Sequence, residues 1–143
     1  KFFANFFFQK LIKIFHYARF DVAVLKKYLS VDVTPSYCTK IASKLVRTYT
    51  DRHGLKDLTR ELLDVDISKQ QQSSNWGAEK LSSAQLEYAA SDVYYLHKMM
   101  DKLNQMLETS ERTKIAQECF DFIPTRCNLD LKGWENVDIF AHS

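Results

Sequence analysis

The sequence predicts a helix-rich α/β fold built on a short parallel sheet. Strand-like and helical patterns alternate along the first half of the chain, which is typical of a parallel arrangement. Only two strand candidates occur, the apolar run at 11–15 and a stretch around Tyr37–Cys38. Two parallel strands cannot cover so many apolar helices, because a parallel sheet normally has both faces buried. We therefore expect the sheet to be incomplete.

Apolar residues at helical spacing account for most of the remaining chain. Thr50 or Asp51 is expected to cap the fourth predicted helix, and Pro124 to end the last one. The polar stretch 68–77 is a predicted loop and residues 125–143 a predicted irregular tail within a single domain, 1–143. The predicted helices are 2–11, 20–30, 40–49, 54–65, 82–107 and 112–122.

Composition indicates a single globular domain. Of the 143 residues, 45% are hydrophobic and 27% are charged, and no apolar run reaches the length of a membrane span. The three cysteines are far apart and form no CxxC pair. This favours reduced thiols in a cytoplasmic protein and argues against a zinc site.

Charge is divided unevenly between the two halves of the chain. Residues 1–60 hold twelve Lys or Arg against four Asp or Glu, whereas residues 61–143 hold eight against fourteen. A polyanionic partner on one face would explain this division. Two ordinary solvated surfaces would explain it equally well.

Two acids lie close to apolar positions. Asp92 sits on the shoulder of the apolar stripe of the long helix, where a carboxylate is costly unless it pairs or binds a cation. Tyr88 lies one turn earlier on the same face. Asp21 falls in the first turn of a helix, where the helix dipole favours any acid. The alternative is structural: Asp92 would pair with a Lys or Arg, and Tyr88 would belong to the core. Oxygen ligands without a thiolate or imidazole cluster suit Mg²⁺ or Mn²⁺.

Basic residues at two places could contact a phosphate backbone. Arg52, His53 and Lys56 flank a turn at the start of a helix, and Lys40, Lys44 and Arg47 share a helix face. Ordinary solvated surfaces are the alternative for both. Aromatic residues that could stack on bases are Trp76, Tyr94 and Tyr95, although packing that holds the polar loop is favoured for the tryptophan.

Two segments resemble motifs of the ribonuclease D-like 3′–5′ exonucleases, the Tyr-containing subtype of the DEDD superfamily. "KIFHYARFDVAVL" (13–25) is similar to the second motif, and "YAASDVYYL" (88–96) is similar to the third, Tyr-x-x-x-Asp. The intervening stretches "CTKIASKLV", "RHGLKDL" and "LSSAQLEYAASD" agree in the same order, so the resemblance covers almost the whole chain. His16 stands where many relatives have Asn.

The resemblance implies a ribonuclease H-like fold and removal of nucleotides from single-stranded 3′ ends of RNA or DNA. Two divalent cations, Mg²⁺ or Mn²⁺, would clamp the scissile phosphate. Asp92 would bind one cation directly and Asp21 would serve the other, partly through water. Tyr88 would orient or deprotonate the attacking water. His16 would lie beside the substrate strand, or would cap a strand end as a loop residue.

The family's first motif, Asp-x-Glu, is not found, because residues 1–20 contain no Asp or Glu. We therefore expect the C-terminal two-thirds of an exonuclease, with its first strands and first motif missing. Residues 1–143 by themselves are expected to show no trimming, because two carboxylates cannot neutralise two divalent cations. Uncovered apolar surface should favour self-association. The alternative function is a non-catalytic, nucleic-acid-binding remnant, and a helical interaction module would require the motif matches to be coincidence.

Overall fold

A computed structural model of the protein describes residues 11–67, 80 and 82–142, and only the backbone for residues 84 and 86–93. In this part of the chain, strands β1 (Lys13–Phe15) and β2 (Ser36–Cys38) form a two-stranded parallel sheet. Lys13 pairs with Ser36 and Phe15 with Cys38. The expected short parallel sheet is confirmed. The helix predicted at 2–11 lies outside the described residues except for Leu11, and the loop predicted at 68–77 lies outside them entirely.

Helix α1 (Ala18–Leu29) follows β1 and helix α2 (Thr39–Val46) follows β2. Each strand therefore leads, at its carboxyl end, directly into a helix. The buried apolar side chains of α1 are small or β-branched, Ala18 and Val22, which are at most 2% exposed. This close packing places the first turns of α1 and α2 along one edge of the sheet.

Helices α3 (Leu55–Leu63) and α2 are joined by a turn that differs from the prediction. Helix α2 ends at Val46 instead of residue 49, because Arg47 turns inward at its end. The N-cap of α3 is Gly54, with no side-chain cap. Thr50 instead accepts a hydrogen bond from the backbone N–H of Arg52 (3.1 Å) within the turn. The predicted capping by Thr50 or Asp51 is therefore wrong.

Helix α4 (Ser83–Thr109) is one continuous element of 27 residues, as predicted. A capping box fixes its start. The Ser82 hydroxyl accepts from the N–H of Gln85 (3.1 Å), and the Gln85 side chain accepts from the N–H of Ser82 (2.9 Å). The helix packs against α2, α3 and β1. Its fully buried side chains, each worth about 1.5–3 kcal/mol, are Met99, Leu103 and Leu107.

Helix α5 (Thr113–Leu129) contains Pro124 in its interior, so the prediction that the helix ends before this proline is wrong. Proline removes one backbone hydrogen bond and normally breaks a helix at a cost of about 3 kcal/mol. Here Phe120, Ile123 and Cys127 on one face are at most 4% exposed. The burial of these three side chains on both sides of Pro124 offsets the loss.

The segment after α5 is also more regular than predicted. A π-helical turn covers Asp130–Trp134, which corrects the expectation of an irregular tail over 125–143. Asp130 accepts two hydrogen bonds from Arg19 on α1, both of 2.7 Å. Arg126 donates to the carbonyls of Trp134 and Glu135. These contacts hold the C-terminal segment against α1 and α5.

No helix in the described part of the chain is both long enough and apolar enough to cross a membrane.

Candidate functional site

The carboxyl ends of β1 and β2 bring the second-motif residues to one edge of the sheet. Asp21 lies in the first turn of α1, and its N–H donates to the carbonyl of Tyr17 (3.3 Å). The Asp21 side chain is half-buried, and this burial raises the pKa of its carboxyl. Within the residues that the structure describes, the carboxylate has no hydrogen bond or ion pair. Asp21 is thus a desolvated acid without a protein partner there.

His16 joins the two strand ends. Its Nδ1 lies 2.9 Å from the hydroxyl oxygen of Thr39, and that hydroxyl donates to the carbonyl of Phe15 (3.2 Å). Nδ1 of His16 and the Thr39 hydroxyl therefore share a hydrogen bond. Nε2 is buried and has no hydrogen-bond partner among the described residues.

The imidazole of His16 is held in its neutral form. Burial, and next the charge of Lys40, lower its pKa to about 4, while the backbone of His53 opposes this effect. At neutral pH His16 is therefore uncharged. We call His16, Asp21 and Thr39 the edge site.

The third-motif positions lie on α4, which contacts β1 as α1 does. The side chains of Tyr88 and Asp92 are outside the described residues, so the structure gives the place of their backbone only. Position 92 precedes the buried Met99 by two helical turns, and position 88 precedes position 92 by one. Helical periodicity thus puts both positions on the face that α4 turns to the core.

The predicted contacts of Arg47 are directed inward. This side chain is only 2% exposed as a residue, and it pairs with Glu61 on α3. Its Nη1 donates to the Ser43 hydroxyl (3.0 Å), which also lies 2.8 Å from Nδ1 of His53. We call Ser43, Arg47, His53 and Glu61 the turn network. The expectation that Arg47 shares an outer basic face with Lys44 is therefore wrong.

The other predicted basic contacts differ in exposure. Lys44 is exposed on α2. The side chain of Arg52 is 81% exposed and reaches Asp57 only at 4.0 Å. His53 is half-buried and uses Nδ1 within the turn network. Of Lys44, Arg52 and His53, the first two are thus presented to solvent.

Thr39 at the edge site was missed from the sequence. It orients His16, and the only signal was its place directly after the second strand candidate. Lys40, predicted from the sequence as a phosphate contact on the same helix face as Lys44, also acts on His16 through its charge. Of the candidate stacking residues, Tyr94 is 55% exposed with the ammonium of Lys98 4.9 Å from its ring centre. Trp76 lies outside the described residues.

The edge site supplies one ligand that fits a hard divalent cation. A half-buried carboxylate with a raised pKa and no partner in the described structure is costly until a cation neutralises it. In residues 11–67, 80 and 82–142, no group of three or more His, Cys, Asp or Glu is placed to hold a metal ion. Asp21 therefore fits as part of a ligand set, to which position 92 would contribute the other acid.

Similarity to known proteins agrees with this arrangement. The model of a family described as 3′-5′ exonuclease matches residues 1–108. Brucella melitensis NrnC, in a structure bound to pGG, is 60% identical, with a TM-score of 0.85, over 95% of this chain and 67% of that chain. The same protein with bound Mg²⁺ is also 60% identical, with a TM-score of 0.85, over 94% of this chain and 65% of that chain.

Curated relatives carry related names. Ribonuclease D of Jannaschia sp. (strain CCS1) is 30% identical over 108 residues, 76% of this chain. DNA polymerase I of Aquifex aeolicus (strain VF5) is 38% identical over 92 residues, 64% of this chain. The chain spans 28% of the length of that ribonuclease D and 16% of that polymerase. Together with the edge site, these similarities show that the chain belongs to the 3′–5′ exonuclease family and is ribonuclease D-like.

Proposed function

We propose that this protein acts in the metal-dependent removal of nucleotides from the 3′ ends of single-stranded RNA or DNA. Asp21 carries the proposal. Its carboxylate is half-buried, its pKa is raised by that burial, and the described structure gives it no partner. A fold that only binds nucleic acid has no reason to keep an acid in this state. A cation ligand has that reason.

Asp21 and Asp92 would hold Mg²⁺ or Mn²⁺. When bound, a pair of divalent cations stabilises the attacking and leaving oxygens of a phosphodiester. Tyr88, one turn before Asp92, would orient the attacking water through its hydroxyl or accept its proton. His16 would lie beside the substrate strand, and Lys44 and Arg52 would contact the phosphate backbone. His53 would act indirectly, by fixing the turn that carries Arg52.

The relatives inform the choice of substrate. NrnC binds both Mg²⁺ and pGG in solved structures, and ribonuclease D is a further relative. We propose short single-stranded RNA as the first substrate to test, with DNA of the same sequence beside it. A reducing, cytoplasmic setting is also proposed, since Cys38, Cys119 and Cys127 are all free thiols.

Self-association is a second part of the proposal. Several large apolar side chains of the C-terminal half are exposed, and patches of this kind favour contact with other proteins. We expect light scattering to give a mass above that of one chain. A monomer at micromolar concentration that binds no hydrophobic dye would contradict this expectation. The exposed residues are Ile115, Leu131, Trp134, Val137, Ile139 and Phe140.

Metal binding tests the site separately from turnover. Mn²⁺ titration followed by electron paramagnetic resonance should detect sites in the parent that weaken in Asp21→Asn and Asp92→Asn. Asp101→Asn is the matched control, because Asp101 is an exposed acid on the same helix as Asp92. Equal Mn²⁺ affinity in all four proteins would overturn the metal assignment.

Trimming of a 3′-labelled oligonucleotide then separates enzyme from binding remnant. Because residues 1–143 supply only two of the acids, we expect them to show no trimming, and a form that also carries an Asp-x-Glu motif to trim in Mg²⁺. Oligonucleotide binding without trimming in both forms would favour the non-catalytic alternative. Robust release by residues 1–143, abolished by EDTA and by Asp92→Asn, would show that other acids complete the site.

A further inference from the structure

Two exposed aromatic rings lie beside the edge site. Tyr17 is the N-cap residue of α1 and is 48% exposed, and Phe20 in the first turn is 61% exposed. Their ring centres are 6.2 Å apart with an angle of 31° between the planes. Aromatic side chains of this size are usually buried in a core or an interface. Here they form one open surface, which we call the aromatic ledge.

A positively charged side chain lies next to the aromatic ledge. The ammonium of Lys40 lies 4.8 Å from the ring centre of Tyr17. In the described part of the chain, no carboxylate lies within ion-pair distance of Lys40. The same charge lowers the pKa of His16, so Lys40 is also close to the edge site. Ring faces beside an unneutralised cation match a nucleotide, whose base is a flat π-system and whose phosphate is an anion.

The ledge is continuous with the proposed reaction site. Asp21 directly follows Phe20 in the sequence, and its backbone N–H donates to the carbonyl of Tyr17. Tyr17 lies two residues beyond the end of β1, and Lys40 two residues beyond the end of β2. Both ledge residues and Lys40 therefore stand along the edge of the sheet that holds Asp21 and His16.

We infer that Tyr17 and Phe20 form a stacking surface for a nucleobase near the 3′ end of the substrate, and that Lys40 contacts the adjoining phosphate. The inference rests on the proposed function, since it places a nucleotide at the same site. It assigns affinity to base stacking, which tolerates any base because every base has a π-face. The site would therefore discriminate a base from an abasic sugar more strongly than one base from another.

The test uses a single-stranded oligonucleotide with 2-aminopurine near its 3′ end and a phosphorothioate linkage that slows cleavage, in Mg²⁺. Stacking quenches 2-aminopurine, so the parent should reduce its fluorescence on binding. The variant Tyr17→Leu/Phe20→Leu keeps apolar volume but removes both π-faces. We expect it to lose most of the quenching and to raise Kd by about 5- to 100-fold.

Tyr28 provides the matched control. It lies on the same helix, is 71% exposed and has the ammonium of Lys27 5.4 Å from its ring centre, but it stands at the opposite end of α1. Tyr28→Leu should leave both quenching and Kd unchanged. An abasic sugar in place of 2-aminopurine should weaken binding to the parent by a similar factor and should hardly affect the double variant.

The outcomes separate this inference from the proposed function. If the parent binds the oligonucleotide but the double variant matches it in quenching and Kd, the ledge is not a stacking site and the exonuclease proposal stands. Weaker binding with quenching retained would also overturn the inference, because the rings would then only shape the surface. If the parent binds no oligonucleotide, the proposed function fails and the inference fails with it.

Discussion

The edge site and the turn network contain the same chemical pair, a histidine nitrogen beside a hydroxyl, in opposite states. His16 Nδ1 lies 2.9 Å from Thr39 Oγ1, and His53 Nδ1 lies 2.8 Å from Ser43 Oγ. In the turn network, Arg47 donates to the Ser43 hydroxyl and pairs with Glu61. In the edge site one ring nitrogen and one carboxylate have no partner in the described structure. The presence or absence of bonding partners, rather than the residue types, therefore distinguishes the structural turn network from the edge site, for which we propose a function.

The largest effect is expected from breaking the turn network. Arg47→Met leaves Glu61, Ser43 and His53 without a shared partner, which should lower the free energy of unfolding by about 2–4 kcal/mol. Lys44→Met, an exposed change on α2, should cost less than about 0.5 kcal/mol. Urea denaturation measures both. Equal free energies of unfolding for the two variants would contradict a structural role for Arg47. It would then again be a candidate nucleic-acid contact.

The pH dependence of stability tests the edge site. The folded pKa of His16 is about 4 and its ordinary value is 6.5, so the unfolded chain binds the proton first as pH falls. This contribution to stability is complete above pH 6.5 and is lost as pH falls to 4, by up to roughly 3 kcal/mol. His16→Gln should therefore lose less stability than the parent over this range.

The difference in stability between the parent and His16→Gln at each pH isolates the contribution of His16, because both proteins contain Asp21 and the other acids. Urea midpoints at four or five pH values would be sufficient. Parallel curves for parent and His16→Gln would show that the ring titrates normally in the folded protein, which would contradict the buried neutral imidazole.

Salt dependence distinguishes exposed cations from buried ones. If Lys44 and Arg52 each contact one phosphate, Lys44→Ala/Arg52→Ala should reduce the slope of log K against log salt by about 1.4 for a single strand. Lys26→Ala, which removes the cation of an exposed ion pair with Asp32, serves as the control. An unchanged slope in the double variant would place the nucleic acid on another surface.

The smallest expected effect is a gain in thermal stability on replacing Asp21. Burial raises the pKa of Asp21, so the ionised side chain opposes folding at neutral pH. Asp21→Asn should raise the melting temperature slightly at pH 7, and the gain should disappear as pH falls below the ordinary pKa of aspartate, where the acid is neutral in both states. Mg²⁺ should stabilise the parent and not Asp21→Asn. A lower melting temperature at pH 7 would indicate an unseen partner for this acid.

Local patterns predicted the elements that local forces determine. The two strands, α1 and the long α4 follow from apolar periodicity, and the position of Asp21 follows from them. Pro124 misled the prediction because long-range burial of Phe120 and Cys127 on either side outweighs a local rule. The inward turn of Arg47 could not be predicted either, since its partner Glu61 lies 14 residues later on another helix. The charge pattern along a sequence does not show which residues of different helices form ion pairs.

The clamp between Arg19 and Asp130 has a consequence for the order of events during synthesis. Asp21 stands two residues after Arg19, and the partner of Arg19 is 111 residues further along the chain. At 5–20 residues per second, the ribosome needs roughly 6–22 s to deliver Asp130 after Arg19. Until then the amino-terminal end of α1 lacks its distant anchor. The segment that carries the proposed metal ligand is thus made well before the residue that secures it.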